Sequence, residues 1–493
     1  MKKLFVLLLA VAMIAGCCTA ALAEEELRGP IEIRFIYHSL IDTMESKGED
    51  YQHNRITDAH RQNSGIDFVI TPALVSGEEE TARRAMILAS GDVPDIMVLS
   101  VEEYMQFATQ GLLTEVSGYL DSMPNYMALV PEAARDALRI DGELFAIPGS
   151  HEEVEMKGGG GIIVRYDLYK ELGLEKEPQT ADEYYEMWKL VKEKYPDMYP
   201  FADNNFDAFK AAFGVLSNTA FDEEGNLVFT WATEDFREYL TYMHKLYAEG
   251  LMDPEYLNYN TATMQERWVS GAAFSGCRGW ADPCVTINGV FDSVPGSELK
   301  YLPQITKDAE TPTELTEIFP TQRILAIPVG AENVDLAIEF IDYMATPEAK
   351  MIQDYGIEGI DYTLNEDGTV NQTLDEQNEV GWKIAYEFIP TPESFQIRLY
   401  LKGFDWAFYG LLDAREASNT TVVVDYTTFL PAYDEYLELS QTLGLKAYAD
   451  EMADKFIIGE RSLDEFDDYI AELEQRGLAE LTDVLNEWYN MYN

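Results

Sequence analysis

The alternation of helix and strand patterns constrains the fold of this chain more than any other feature. Residues 31–36 alternate apolar and charged side chains, as a strand with one buried face does. Residues 78–90 follow helical spacing up to Gly91, and a run of apolar residues within 95–99 then predicts a buried strand. Further helix patterns follow at residues 101–110, 181–194 and 233–249. This order is typical of an α/β fold, in which helices cover largely parallel sheets.

The N-terminus has the pattern of an export signal. Lys2 and Lys3 precede an apolar run at residues 4–13, which is too short to span a bilayer because a spanning helix needs about 20 residues. The next four residues, Ile-Ala-Gly-Cys, resemble a bacterial lipobox, in which the cysteine, here Cys17, becomes the lipidated first residue. The small residues at 21–23 offer ordinary secretory cleavage as the alternative. Both cuts predict an extracellular protein, and we favour a signal region at residues 1–23 with a lipid anchor at Cys17.

The charge of the chain argues against nucleic acid as a partner. The sequence has 89 acidic and 35 basic residues, a formal net charge of -54. Binding to phosphates needs clustered Lys and Arg. A surface with this much negative charge therefore repels nucleic acid and anionic lipid headgroups. The acids are scattered along the helix patterns, which indicates a strongly solvated surface. The same charge argues mildly against a polyanionic ligand.

Two cysteines remain beyond the N-terminal region, Cys277 and Cys284. In an exported chain two thiols seven positions apart can close a small disulfide loop, which we favour over two buried thiols or a metal pair. Zinc is disfavoured because no neighbouring Cys or His completes a tetrahedral set. We therefore predict no metal and no cofactor.

Several segments, in a shared order, resemble the extracellular solute-binding proteins of ABC importers. The resemblance is to the lipoprotein branch that serves oligosaccharide uptake in Gram-positive bacteria, and it covers the chain from about residue 80 to the end. The segments are residues 86–95, 141–148, 246–255, 355–363 and 456–469. What the resemblance implies is a monomeric receptor that captures an oligosaccharide and hands it to ABC permease subunits in the membrane.

The C-terminus is predicted to be helical, because apolar residues within 463–473 recur at helical spacing after a capping pattern at Ser462. The resemblance also implies a two-lobe fold like that of periplasmic binding proteins, with three hinge crossings. We place the crossings near Ile147, Ile327 and Gly359. The N-terminal lobe is then residues 28–147 and 324–362, and the C-terminal lobe is residues 148–323 and 363–493. Some relatives carry a calcium loop at the place of residues 194–200, but the single acid there is too few for a cation that takes six to eight oxygens.

Two tryptophans are the strongest candidates for ligand contact. A sugar presents apolar C–H faces ringed by hydroxyls, so its site needs aromatic rings beside polar groups. Trp280 lies in a glycine-flanked turn, and its position resembles the loop tryptophan of the family that stacks on sugar. Trp406 resembles a second stacking position. For each, a role in the core or in a hinge is the alternative.

Six polar or charged residues are further candidates for the ligand site. Arg278 and Asp282 flank Trp280 and could bind hydroxyls. Tyr37 and His38 end the first strand, where the ligand edge of an α/β sheet lies. Arg323 and Glu358 adjoin two of the predicted crossings. For both, a salt bridge that stabilises the fold is the alternative role.

Enzyme chemistry is poorly supported by the sequence, and we predict that the protein is not an enzyme. The five histidines form no zinc-protease motif, and no Gly-x-Ser-x-Gly elbow is present. A secreted glycoside hydrolase remains the alternative, because it needs only two suitably spaced carboxylates. A sensory lipoprotein that reports ligand to a receptor is a second alternative.

Overall fold

The protein is described from a computed structural model. The structure describes residues 27–34, 44–72, 78–130, 132–136, 138–140, 142–148, 160–280, 282–316, 324–386, 388–389, 403–428 and 434–492. The predicted lipidation site Cys17 and the candidates Tyr37, His38 and Arg323 lie outside these residues. Within the described part, no helix is both long and apolar enough to cross a membrane.

The strands fall into two main sheets and three two-stranded pairs. In chain order they are β1 (Arg28–Arg34), β2 (Ile66–Thr71), β3 (Ile96–Leu99), β4 (Ala146–Pro148), β5 (Gly161–Arg165), β6 (Tyr199–Phe201), β7 (Thr219–Phe221), β8 (Leu227–Phe229), β9 (Ala273–Arg278), β10 (Leu299–Tyr301), β11 (Thr313–Thr316), β12 (Ile324–Ala326), β13 (Thr363–Leu364), β14 (Val370–Asn371) and β15 (Thr420–Val423).

Helices cover both main sheets. The α-helices described are Arg55–Ser64, Glu78–Ser90, Val101–Thr109, Pro124–Leu129, Glu132–Asp136, Tyr166–Tyr169, Ala181–Lys194, Asp207–Ala212, Glu234–Ala248, Thr261–Val269, Asp282–Val285, Gly289–Ser293, Val334–Met344, Pro347–Tyr355, Leu374–Glu379, Asp405–Glu416, Asp434–Leu443, Leu445–Ile458, Phe466–Gln475 and Leu478–Tyr492. Short 3-10 turns lie between them, among them Ser117–Ser122 and Gly381–Tyr386. The α/β class predicted from the sequence is confirmed.

The first lobe is built on a five-stranded sheet in the order β2-β1-β3-β12-β4. Strands β1, β2 and β3 are parallel, while β12 runs antiparallel to β3 and β4. The buried side chains Ile31 and Ile33 alternate with exposed or half-buried ones along β1, so one face of this strand packs into the core. The sheets are therefore less parallel than the sequence predicted, because a strand that enters from the other lobe runs against its neighbours.

The second lobe is built on a four-stranded sheet in the order β10-β5-β9-β6. One face packs into a large core with Trp188, Phe201 and Phe209, to which the C-terminal helices contribute Phe456 and Tyr469. The opposite face packs into a smaller core, whose buried members include Ile163, Trp268, Tyr301, Phe408 and Leu411. A helical C-terminus, predicted from the sequence, is confirmed, and its helices pack on the second lobe.

The boundary predicted near Gly359 is wrong. Trp382, Tyr386 and Phe388 are buried in the first core, and the Tyr386 hydroxyl donates a 2.7 Å hydrogen bond to the carbonyl of Tyr51. The first lobe therefore extends to Ile389, and the third crossing lies between residues 389 and 403.

The other two crossings fall close to their predicted places. The chain leaves the first lobe after Pro148 and enters the second at β5, and it returns between Thr316 and Ile324. Strands β4 and β12 are direct neighbours, with Pro148 opposite Ile324. Both connections therefore reach the first lobe at the same edge of its sheet.

Candidate functional site

The crossings mark one edge of each sheet as the place where the lobes meet. In the first lobe this edge contains the C-terminal ends of β3 and β4, since Leu99 and Pro148 both lie opposite Ile324. In the second lobe Gly161, where the chain arrives, lies opposite Arg278 at the end of β9. Ligands of α/β sheets bind at such edges, in the crevice beyond the strand ends. We call the two edges the cleft edges.

Aromatic side chains cluster at the cleft edge of the second lobe. Trp280 is half-buried, and its ring packs edge-on against Phe408 with centroids 5.8 Å apart. Phe404 lies 6.3 Å from Trp406 and 5.6 Å from Phe291. We call these five residues the aromatic cluster. The structure therefore places both predicted tryptophans at the rim of one small core, with part of each ring still exposed.

The turn that carries Trp280 is fixed by two side chains. The Asp282 carboxylate accepts a 2.8 Å hydrogen bond from the backbone N–H of Gly279 through Oδ2 and another of 2.8 Å from the Thr286 hydroxyl through Oδ1. The Tyr301 hydroxyl donates a 2.6 Å bond to the carbonyl of Gly279. Asp282 was predicted to contact ligand, but both of its oxygens already hold the turn. Its place in the structure indicates a supporting role.

Arg278 pairs with Asp203, a residue that the sequence analysis missed. Asp203 follows β6, is fully buried, and contacts Nη2 of Arg278 through Oδ1. The same carboxylate accepts hydrogen bonds from the backbone N–H groups of Asn204 (2.8 Å), Asn205 (3.0 Å) and Cys277 (3.1 Å). Burial raises the pKa of Asp203 to about 6, although Arg278 and these donors oppose the shift. Asp203 thus ties the ends of two neighbouring strands together.

Gly276 allows this close approach. A Cβ atom at Gly276 would lie 2.6 Å from Oδ2 of Asp203, which is closer than any van der Waals contact permits. A glycine is therefore required where the carboxylate packs on the backbone of β9. The available sequence signal was the polar run Asp203-Asn204-Asn205 directly after a strand, but only the pairing of β6 with β9 shows which residue it meets.

The disulfide predicted between Cys277 and Cys284 is not formed in this structure. Cys277 is a free, fully buried thiol. Its side chain points into the large core beside Ile162 and Phe274, whereas Cys284 lies in the helix Asp282–Val285 beyond the end of the strand. Burial raises the pKa of the Cys277 thiol, so it behaves as an inert core residue.

The described part of the cleft edge in the first lobe carries charged side chains. Arg84 donates two hydrogen bonds, 2.7 and 2.8 Å long, to the carboxylate of Glu103. Glu103 also accepts a 3.0 Å bond from the N–H of Ser100, which caps the helix Val101–Thr109. Arg34, at the end of β1, and Arg84 each approach Glu80 to 3.9 Å. We call Arg34, Glu80, Arg84 and Glu103 the charged cluster.

Glu358 does not adjoin a crossing. It is exposed in the turn that follows the helix Pro347–Tyr355, and this turn is held to the first lobe by the ion pair of Asp361 with Arg55, 2.9 Å long. Because the chain stays in the first lobe up to Ile389, the reason for expecting Glu358 at the ligand does not hold. Among the described residues no group of three or more His, Cys, Asp or Glu is arranged to hold a metal ion.

Two α/β lobes that are joined by three crossings, with a polar and aromatic surface at the edges where they meet, define a two-lobed binding protein. The sequence comparison agrees with this class. Residues 55–351 match the family described as bacterial extracellular solute-binding protein, and the chain belongs to that family.

Curated relatives cover most of the chain. It is 23% identical over 444 residues to the polygalacturonan/rhamnogalacturonan-binding protein YtcQ of Bacillus subtilis, with 84% of this chain and 83% of the relative covered. It is 22% identical over 488 residues to the fructooligosaccharide ABC transporter substrate-binding protein FusA of Streptococcus pneumoniae, with 83% and 82% covered. Lipoprotein LipO of Bacillus subtilis is 24% identical over 309 residues, which cover 57% of this chain and 59% of the relative.

Solved structures share the fold. The HMO-binding solute-binding protein of Bifidobacterium longum infantis superimposes with a TM-score of 0.70 at 16% identity, and the match covers 94% of this chain and 99% of that one. The alginate-binding protein AlgQ2 without calcium gives 0.61 at 20% identity, with 95% and 99% covered. At this identity the likeness establishes the two-lobe architecture, and it confirms the fold predicted from the sequence.

Proposed function

We propose that this protein captures an oligosaccharide between its lobes and delivers it to an ABC permease. The observation that carries the proposal is the aromatic cluster at the cleft edge of the second lobe. Half-buried rings at the end of a strand suit a ligand that has apolar faces and many hydroxyls. The polygalacturonan/rhamnogalacturonan-binding and fructooligosaccharide-binding relatives support a sugar as the ligand.

Trp280 and Trp406 are the stacking residues in this proposal, and Arg278 donates hydrogen bonds to the sugar. Tyr37, His38 and Arg323 remain candidates for the facing side of the cleft. Binding closes the lobes, because a ligand that touches both cleft edges favours the closed state. The hinges are the three crossings, after Pro148, after Thr316 and after Ile389.

The site of action in this proposal is the outer face of the cell membrane. The signal pattern in residues 1–23 exports the chain, and a lipid on Cys17 tethers it. The relative named lipoprotein LipO supports the tether. The protein acts as a monomer, binds no nucleic acid and performs no chemistry on the sugar. Members of the family and the structural neighbours are binding proteins.

Substitution of Trp280 tests the proposal. Loss of a stacking ring should weaken binding of the sugar by about 1–3 kcal/mol, which is about 5- to 150-fold in Kd. Titration calorimetry with the mature chain measures this, and the melting temperature of Trp280→Ala checks that the lobe still folds.

Phe221→Ala is the matched control for this substitution. Phe221 is a half-exposed aromatic residue of the second lobe, packed on Tyr426 and Tyr489 in another part of it. Its loss should leave the affinity for sugar unchanged. Equal Kd values for wild type, Trp280→Ala and Phe221→Ala would exclude Trp280 as a stacking residue, and an unchanged Kd for Trp406→Ala as well would exclude the aromatic cluster as the binding surface.

A further inference from the structure

We propose that Tyr409 is a further ligand-binding residue and that the sugar chain lies along the helix Asp405–Glu416. We call this helix the cleft helix. The inference rests on the proposed function and adds the direction in which the ligand extends from the aromatic cluster. It predicts that affinity depends on the number of sugar units, because Tyr409 contacts a unit that the shortest ligands lack.

The buried face of the cleft helix packs at the cleft edge of the second lobe. Phe408 packs against Trp280 with ring centroids 5.8 Å apart. Leu411, on the same face, packs on Gly161, where an added Cβ atom would lie 2.5 Å from Cδ1 of Leu411. Phe408 and Leu411 are both buried. The first turns of the helix are therefore fixed at the same strand ends that carry the Trp280 turn.

The opposite face of the cleft helix is open to solvent. Helical residues three, four or seven positions apart share a face, so Trp406, Tyr409 and Asp413 form one stripe. Trp406 is half-buried, 52% of Tyr409 is exposed, and Asp413 is exposed. Tyr409 meets Phe408 at 5.3 Å in an edge-to-face contact, which covers at most one face of its ring. A ligand can therefore reach all three side chains of the stripe.

The spacing of the stripe suits successive sugar units. Side chains at positions i and i+3 of a helix have Cβ atoms about 5–6 Å apart, which is comparable with the length of one pyranose unit. Trp406 and Tyr409 can each offer an apolar ring face to the C–H face of one unit. Asp413 lies about 6 Å further along the axis, where its carboxylate can accept hydrogen bonds from hydroxyls.

Position distinguishes Tyr409 from other exposed aromatic residues. A single exposed ring is common on protein surfaces and needs no ligand to explain it. Tyr409, however, lies one turn from Trp406, and the ring of Phe408 that it contacts also packs on Trp280. Tyr409 therefore continues the surface of the aromatic cluster along the cleft helix.

A series of ligand lengths tests the inference. Oligogalacturonides, inulin-type fructooligosaccharides and maltooligosaccharides of one to five units are titrated into the mature wild-type chain and into Tyr409→Ala. In a series that binds, wild type should gain about fivefold or more in affinity between the shortest and the longest ligand. Tyr409→Ala should lose most of this gain and bind the shortest ligand within about twofold of wild type.

Further variants separate stacking from a general effect on the lobe. Tyr409→Phe keeps the ring and should keep the gain with length. Asp413→Ala should act only on ligands longer than those first affected by Tyr409→Ala. Phe221→Ala, 48% exposed in the same lobe, should bind every length as wild type does. All of these side chains are partly or fully exposed, so the melting temperatures should stay close to that of wild type.

Two results would overturn the inference and leave the proposed function standing. One is equal affinity of wild type and Tyr409→Ala for the longest ligand. The other is an equal loss in Tyr409→Ala at every length, which would show that Tyr409 does not contact an additional unit. An effect of Asp413→Ala on ligands shorter than those that need Tyr409 would contradict the direction along the helix. Failure of all three series to bind would contradict the proposed function itself.

Discussion

The two lobes carry different side chains at the ends of their sheets that face the cleft. The first lobe carries the charged cluster, in which Glu103 is almost fully buried and bonded to Arg84. The second lobe carries the aromatic cluster, whose tryptophans remain half-exposed. Side chains that are already bonded to each other stabilise the fold, whereas partly exposed rings can still contact a ligand. From the residues that the structure describes, we expect the sugar to contact the second lobe first.

The lobes also bury titratable groups of opposite kinds. In the first lobe His60 is fully buried and shares a 3.0 Å hydrogen bond with the Tyr343 hydroxyl through Nδ1, and burial lowers its pKa to about 3. In the second lobe burial raises the pKa of Asp203 to about 6. Both shifts arise because burial disfavours the charged form. Acid should therefore affect the lobes in opposite directions.

The largest effect is expected in the charged cluster. Glu103→Gln keeps the hydrogen-bond acceptor of the helix cap but removes the charge that Arg84 faces. Arg84 then loses its two charge-assisted hydrogen bonds and keeps only Glu80, 3.9 Å away, so the free energy of unfolding should fall by about 3 kcal/mol. Urea unfolding measures this, and the affinity for sugar should change little if the cluster is a scaffold.

Glu339→Gln is the matched control in the same lobe. Its ion pair with Arg28 has about half of each side chain exposed, so the loss should be below about 1 kcal/mol. If Glu103→Gln instead left stability intact and abolished binding, the charged cluster would be part of the ligand site and the division between the lobes would fail.

The second largest effect is expected on the stability of the protein at acidic pH. Between pH 7 and pH 5 the unfolded chain protonates His60, normal pKa about 6.5, while the folded chain does not, so His60 should cost about 2 kcal/mol of stability. Over the same range folded Asp203 takes up a proton that the unfolded chain, pKa about 3.8, does not, which should add about 1 kcal/mol.

Variants isolate the two titrations. Unfolding free energies of wild type, His60→Gln and Asp203→Asn are measured at pH 7 and at pH 5. Between pH 7 and pH 5 the free energy of unfolding of wild type should fall relative to that of His60→Gln. Over the same range it should rise relative to that of Asp203→Asn. Changes of the same sign in both comparisons would show that one of the groups is not buried as described.

The smallest effect is expected at Trp406. Trp406 lies in the first turn of the helix Asp405–Glu416, and its only ring contact among those described is with Phe404. In the sequence it is also further from Arg278 than Trp280 is. Trp406→Ala should weaken sugar binding by about 1 kcal/mol. Trp406→Phe, which keeps a stacking face, should recover most of the affinity. A loss larger than that of Trp280→Ala would reverse the ranking of the two rings.

Local signals in the sequence predicted much of this structure. Gly91 ends a helix pattern and the apolar run after it is β3, because capping and burial leave their mark within a few residues. The glycine-flanked turn of Trp280 was recognisable for the same reason. The class of fold and the helical C-terminus followed from patterns of this kind.

Features that depend on distant pairing could not be predicted. Asp203 matters because β6 pairs with β9, which no local pattern reveals. Trp382 and Tyr386 pack into the core of the first lobe, which no local pattern reveals, so the crossing that the resemblance predicts near Gly359 lies about 30 residues too early. Cys277 and Cys284 are close in sequence, but the strand directs the Cys277 side chain into the core.

The most direct test of capture is a thermal-shift screen of the mature chain against neutral, amino and uronic-acid oligosaccharides, with short peptides as controls. A ligand that binds only the folded state raises the melting temperature by mass action. We expect a clear rise with a sugar that is recovered intact afterwards by mass spectrometry. A rise with peptides and none with sugars, or recovery of a cleaved sugar, would contradict the account.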